Sequence, residues 1–180
     1  MLFFGVWAID LVINVINNGR PAWVPVIALD SHIPFIPRFF YFYTLYFPLV
    51  VLPLFVLPLQ PHLKRYVYSN VVVMLISYAF FLILPTKVLR VKPGKDVLTF
   101  LYHQIVGPYN LLPSLHISML LLSFLSLYFW RKRIAFLFAL PILLSAVSVV
   151  FTKQHYILDI LVAIPIAIGS FIGVSKKHAG

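Results

Sequence analysis

Residues 114–151 read SLHISMLLLSFLSLYFWRKRIAFLFALPILLSAVSVVF, two apolar runs parted by the triplet Arg131-Lys132-Arg133. A bilayer core takes ~20 apolar residues per helical crossing, with a lower limit of ~17. Each run meets that length, and the basic triplet ends the first where charged headgroups would meet it. The pair therefore reads as two membrane helices joined by a tight turn. Composition agrees: 62% of the 180 residues are hydrophobic, 10% are charged, and the mean hydropathy is +1.01. A soluble domain of this length needs more polar surface than that to cover its core.

Outward from this pair the same pattern recurs, for six candidate spans in all. The first, Leu2 to Ile16, is short and interrupted by Asp10; Asp10, Asn14 and Asn17 recur at helical spacing and lie along one face. A spanning helix would turn that face into the bundle, where hydrogen bonds between helices satisfy it. Asn17 to Arg38 is rich in Pro, Asn and Asp and reads as a re-entrant or interfacial loop. The second span, Phe39 to Leu59, carries Pro48, Pro53 and Pro58, kinks that membrane helices tolerate. A turn, Gln60 to Arg65, leads to the third span, Tyr66 to Leu84, and Pro85 to Pro113 is the longest polar segment. The fourth span is Ser114 to Trp130 and the fifth Ile134 to Phe151; Thr152 to Gln154 turn into the sixth, His155 to Val174. There is no repeat, heptad or linker. The expected fold is all-α: one polytopic transmembrane helical bundle of about six helices.

Fourteen Lys and Arg against four Asp and Glu give a formal charge of +10. They are dispersed among spans with no basic domain, which argues against nucleic acid as a partner. Alternating turns divide them evenly. One face receives Lys64, Arg65, Arg131, Lys132, Arg133, Lys176 and Lys177, the other Arg20, Arg38, Lys87, Arg90, Lys92, Lys95 and Lys153. The first set lies in tight turns and a tail with no acidic residue, as cytoplasmic turns do. The second set accompanies the residues with chemical potential, so the reactive face is expected outside the cytoplasm, as in a bacterial-type plasma membrane. With no cysteine, disulfides, thiolate zinc sites and a Cys nucleophile are excluded. The N-terminus has no basic region before its apolar run and no small-residue cleavage site, so it reads as a retained segment.

Three polar segments interrupt this apolar chain on the second face. In Lys153-Gln154-His155-Tyr156-Ile157-Leu158-Asp159, His155 and Asp159 are four apart, so the carboxylate reaches an imidazole nitrogen. An ionised Asp fixes the His tautomer and makes its other nitrogen a better nucleophile or base. In Leu112-Pro113-Ser114-Leu115-His116, Pro113 marks a helix start and Ser114 can cap it. The amides of such a helix start are a seat for phosphate oxygens, with His116 beside it as proton donor. Lys87, Arg90, Lys92 and Lys95 fall within nine positions and can neutralise a dianionic group. Each segment alone also fits an ordinary boundary role: a packed polar pair, a capped helix with an interfacial His, a basic loop beside headgroups.

Taken together and in this order, they resemble the type 2 phosphatidic acid phosphatase and vanadium haloperoxidase superfamily. Its motifs run Lys-x6-Arg-Pro, Pro-Ser-Gly-His and Ser-Arg-x5-His-x3-Asp. The second is matched by Pro113-Ser114-Leu115-His116, with Leu115 for Gly. The third is matched by Ser148-Val149, five residues, His155, three residues, Asp159, with Val149 for the phosphate-binding Arg and Lys153 the nearest substitute. The first is shortened to Lys87-x4-Lys92-Pro93. The His155-Tyr156-x2-Asp159 element also looks like the inositol phosphorylceramide and sphingomyelin synthase branch, in which an alcohol accepts the phospho group.

What the resemblance implies is an integral membrane lipid phosphatase with His116, His155 and Asp159 as catalytic residues. Lys87, Arg90, Lys92, Ser114 and Lys153 would bind the substrate phosphate. His155 would form a phosphohistidine and His116 would protonate the leaving oxygen, with no metal or other cofactor. The expected partners are a lipid phosphate and the bilayer. A phosphotransferase to an alcohol is the alternative, and a small transporter a third reading. Against transport, His116 and His155 sit at span ends, whereas transport sites lie near mid-membrane on broken helices.

Overall fold

The computed structural model describes residues 2–89 and 107–177, and among them it is helical with no strand. Seven α-helices occur among the described residues: α1 (Leu2–Asn17), α2 (Phe40–Thr44), α3 (Tyr46–Val56), α4 (Lys64–Ile83), α5 (Leu115–Trp130), α6 (Lys132–Phe151) and α7 (Ile157–Lys177). A short 3-10 turn, Pro37–Phe39, leads into α2, and Leu45 between α2 and α3 keeps helical angles, so Pro37–Val56 acts as one rod. That rod, Leu59–Ile83, Lys132–Phe151 and Ile157–Ser175 are each long and apolar enough to cross a membrane. This is a membrane protein. Leu115–Trp130 is shorter, and it is enclosed: α5 packs against α3, α4, α6 and α7. Its His116, Ile117, Ser118, Met119, Leu120, Leu122, Ser123, Ser126 and Leu127 are all buried. The core is laid around it. Met119 and Leu120 meet Tyr46, Leu49, Val50, Met74 and Tyr78, while Leu122 and Leu127 meet Tyr66, Val73, Ala135 and Phe171. Residues such as Val15, Phe55, Ile83 and Leu137 point outward, the surface a helix offers to lipid tails.

Several boundaries differ from those expected. The second span stops at Val56 instead of Leu59, because Leu57, the residue before Pro58, is driven extended (φ −73°, ψ 137°). The turn expected over Gln60 to Arg65 is mostly helical: a wide turn, Leu59–Leu63, runs straight into α4 at Lys64. A single extended residue, Arg131, is enough to separate α5 from α6, so Lys132 and Arg133 open the next helix. The sixth span begins at Ile157, leaving His155 and Tyr156 outside it.

The two ends of the bundle differ. At one, the Arg65 guanidinium stacks over Phe171 at 3.6 Å and Phe129 at 5.1 Å, with Arg131 over Trp130 and Lys132 over Tyr128. At the other, the long connections knit together. The Trp23 amide donates to the Pro85 carbonyl and the Lys87 amide to the Trp23 carbonyl, each at 2.9 Å. Val88 and Asn110 pair with Pro108 and Thr86, and the Ile36 amide donates to the Phe151 carbonyl. The buried Thr86 hydroxyl then takes the Leu111 and Leu112 amides, fixing the approach to α5. The polar face of α1 joins this end. Asn14 donates to the Tyr109 carbonyl, and Asn17 to the Phe81 carbonyl and to the Asn110 side chain.

Candidate active site

His116, His155 and Asp159 come together at the knitted end, where α5 and α7 both begin. The link is direct: the Ser114 amide donates to the Asp159 carbonyl at 3.2 Å, so the two helix starts are laid side by side. Asp159 occupies the third position of α7 and its Oδ2 accepts the Tyr156 amide at 2.8 Å, half of a capping box. The same oxygen meets His155 Nδ1 at 3.2 Å. His155 is thus held by a carboxylate that is itself locked by the helix start. The pairing arises from the turn before the helix, not from two residues on one helical face. Asp159 is fully buried while the His155 side chain keeps 11% of its surface, so the carboxylate is sealed and the imidazole can be reached. With Nδ1 engaged, Nε2 is the nitrogen that bonds to no described residue.

His116 is buried as the second residue of α5. Its ring stacks on Tyr46 (centroids 4.0 Å, 23°) and leans on Tyr43 (4.3 Å), and Nε2 lies 3.3 Å from the Ser145 hydroxyl. His155 is its electrostatic neighbour, and with the two helix starts joined both rings lie at the same end of the bundle. Ser114 is the N-cap of α5, its hydroxyl accepting the Ile117 amide at 3.3 Å. The Leu115 and His116 amides donate to no described group and remain open for an anion.

The basic residues divide. Lys87 lies in the bridge to Tyr109, one residue from Val88, which packs on Leu111 and Tyr156. Next to it the Leu89 amide donates to the Tyr156 hydroxyl at 3.1 Å, so this strip borders the His155 turn. Lys153 adopts a left-handed backbone (φ 53°), and its ammonium donates to the Asp30 and Ile33 carbonyls. Two of its three hydrogens are thereby used in fastening the 20–38 loop, leaving one for a ligand. Arg90 and Lys92 lie outside the described residues, as does Lys95. Val149, at the place of the third-motif Arg, is fully buried with Phe40, Tyr43 and Ile117, so that position belongs to the core. Leu115 is half-buried between the two main clusters.

Sequence reading did not find Asp30, Tyr46 or Asn110. Asp30 Oδ1 accepts the Ile157 amide at 3.0 Å and Oδ2 the Ile27 amide at 2.9 Å, so a second carboxylate caps α7 from a loop far away in sequence. Asn110, in a left-handed conformation (φ 68°), donates to Asp10. Each is a polar residue at a distance in the chain, and no spacing rule links it to the motifs. Tyr156 lies just before α7; burial, chiefly, raises its phenol above the ordinary value, which the nearby Asp159 and Asp30 charges reinforce and the Leu89 amide partly offsets. It remains a neutral phenol at physiological pH.

No group of three or more metal-ligating side chains occurs among the described residues. No curated protein and no solved structure matches the chain. A family model described as PAP2 superfamily matches residues 20–173, which contain both histidines and their carboxylate, and with it the order of motifs and the paired helix starts find one explanation: the chain belongs to the PAP2 superfamily.

Proposed function

We propose that this protein is a metal-independent lipid phosphatase, hydrolysing a phosphomonoester or diphosphate of a lipid through a phosphohistidine on His155. Membership of the superfamily supports a phosphatase or phosphotransferase chemistry. The observation that carries the finer reading is the His155–Asp159 contact beside the open start of α5. Asp159 holds His155 Nδ1 and directs Nε2 at phosphorus. The N–P bond forms as the P–O bond to the lipid breaks, and His116 gives its proton to the leaving oxygen. In the second step His116 takes a proton from water, the new P–O bond forms, the N–P bond breaks and phosphate leaves. Ser114, the α5 amides, Lys87 and the remaining hydrogen of Lys153 are the described groups able to hold the non-bridging oxygens; Arg90 and Lys92 complete the proposed set.

The lipid bilayer supplies the substrate laterally, with its headgroup at the knitted end, which we place on the non-cytoplasmic face opposite the Arg65, Arg131 and Lys132 end. The test is phosphate release by purified protein in detergent across lipid phosphates, with and without alcohol acceptors. Wild type should release phosphate and His155→Ala should not, while both elute as folded protein. Equal activity in the two would end this reading. Phospho transfer to an added alcohol in preference to water would instead establish the transferase branch.

A further inference from the structure

Asp10 is the one described carboxylate whose side chain caps no helix and takes no backbone amide; its bond is to the Asn110 side chain. Asp30 caps backbone amides, and Asp159 caps α7 and holds His155. Asp10 lies within an otherwise apolar helix, where an acid is costly unless it serves a site. It is half-buried, and Asn110 Nδ2 donates both to its Oδ1 at 3.0 Å and to its carbonyl at 3.1 Å. Among the described residues the side-chain bond it accepts goes to Oδ1 and not to Oδ2. His155 is an electrostatic neighbour, and so are Tyr46, whose ring stacks on His116, and Tyr78. The carboxylate is thus held by Asn110 near His155 and the Tyr46–His116 stack.

A carboxylate in that place repels phosphate oxygens and attracts hydrogen-bond donors. It also stands on α1, before residues 20–173 that the family model matches. We propose that Asp10 is a specificity-determining residue that accepts a hydrogen bond from a free hydroxyl next to the phosphoester, selecting lipid phosphates with such a hydroxyl. This rests on the lipid phosphatase reading above.

The experiment compares kcat/KM for a 1-acylglycerol 3-phosphate, which has a free 2-hydroxyl, with its 2-deoxy analogue, in wild type and Asp10→Asn. A site built around a hydroxyl discriminates strongly against the analogue that lacks it, so wild type should prefer the hydroxylated lipid at least about tenfold. Asp10→Asn should bring the ratio to within about threefold of unity. A ratio taken within one preparation does not depend on how much of the variant folds. If the variant does not fold at all, the wild-type preference alone decides. A wild-type ratio near one, or a variant that keeps the wild-type ratio while losing stability, overturns the proposal and leaves Asp10 a packing residue. Phosphate release from neither lipid, or from any other lipid phosphate, would overturn the phosphatase reading and this proposal with it.

Discussion

Asp159 does two things with one oxygen. It caps the start of α7 through the Tyr156 amide and orients His155 through Nδ1. Asp159→Asn can keep the cap by turning its carbonyl oxygen toward the amide, but it removes the charge that stabilises a cationic imidazole. The expected outcome is a fall in phosphate release of about 10²–10⁴-fold with melting little changed, read by kinetics and by thermal unfolding of the same sample. A fall in melting temperature with activity retained would make Asp159 a cap only. Tyr156 supplies a pH prediction. Its phenol is raised above the ordinary value in the folded protein, chiefly by burial. The folded chain therefore holds this proton more tightly than the unfolded chain, whose tyrosine ionises at about pH 10. Its contribution is full below pH 10 and is lost as pH climbs toward the folded value. Tyr156→Phe, lacking the ionisation, should lose less stability than wild type between pH 9 and 11, on the order of 1 kcal/mol per unit of pKa difference. Parallel pH curves for the two proteins would contradict the buried-phenol account.

At the scale of elements, the site depends on how helix starts are tied. The α7 start has two carboxylates, one from its own first turn and one from Asp30 on the 20–38 loop, which Lys153 clasps through its carbonyl. Asp30→Ala removes the acceptor for the Ile157 and Ile27 amides and should cost about 0.5–2 kcal/mol, measured by unfolding in detergent. It should also lower kcat, since His155 sits in the turn that the cap holds still. The docking of α1 is as specific. A Cβ at Gly107 would lie 1.8 Å from Asn14 Oδ1, so Gly107→Ala must push the Asn14 side chain away from the Tyr109 carbonyl it now bonds. The expected loss is about 1–3 kcal/mol. Asn14→Ala should reduce that penalty when combined with it, and a double variant no better than Gly107→Ala alone would refute the clash. Helix existence was readable from hydropathy, since it is a local property of each run. Helix ends were less so. Pro58 bent the chain three residues earlier than expected, and α7 began two residues later, because two carboxylates, one of them distant, set where its first amides are satisfied.

For the molecule as a whole, the arrangement is a set of lipid-facing helices around the enclosed α5, closed at one end by connections and fringed by cations at the other. A site made of two imidazoles and a carboxylate predicts that phosphate release survives a metal chelator. Vanadate, which adopts the five-coordinate geometry of the displaced phosphorus, should inhibit it. Strict dependence on magnesium would point to another mechanism. The sequence alone determined the membrane class and pointed to His116, His155 and Asp159 as the candidate trio. Hydropathy is carried by each apolar run by itself, and His155 and Asp159 are near enough along the chain for their spacing to imply contact. Only the tertiary structure decided that His116 lies between Tyr43 and Tyr46, that Lys153 fastens a loop, and that Asp10 and Asn110 pair. Those contacts join residues tens to more than a hundred positions apart. Which of them form depends on how the helices pack and which buried polar groups then need partners, and no local pattern encodes that.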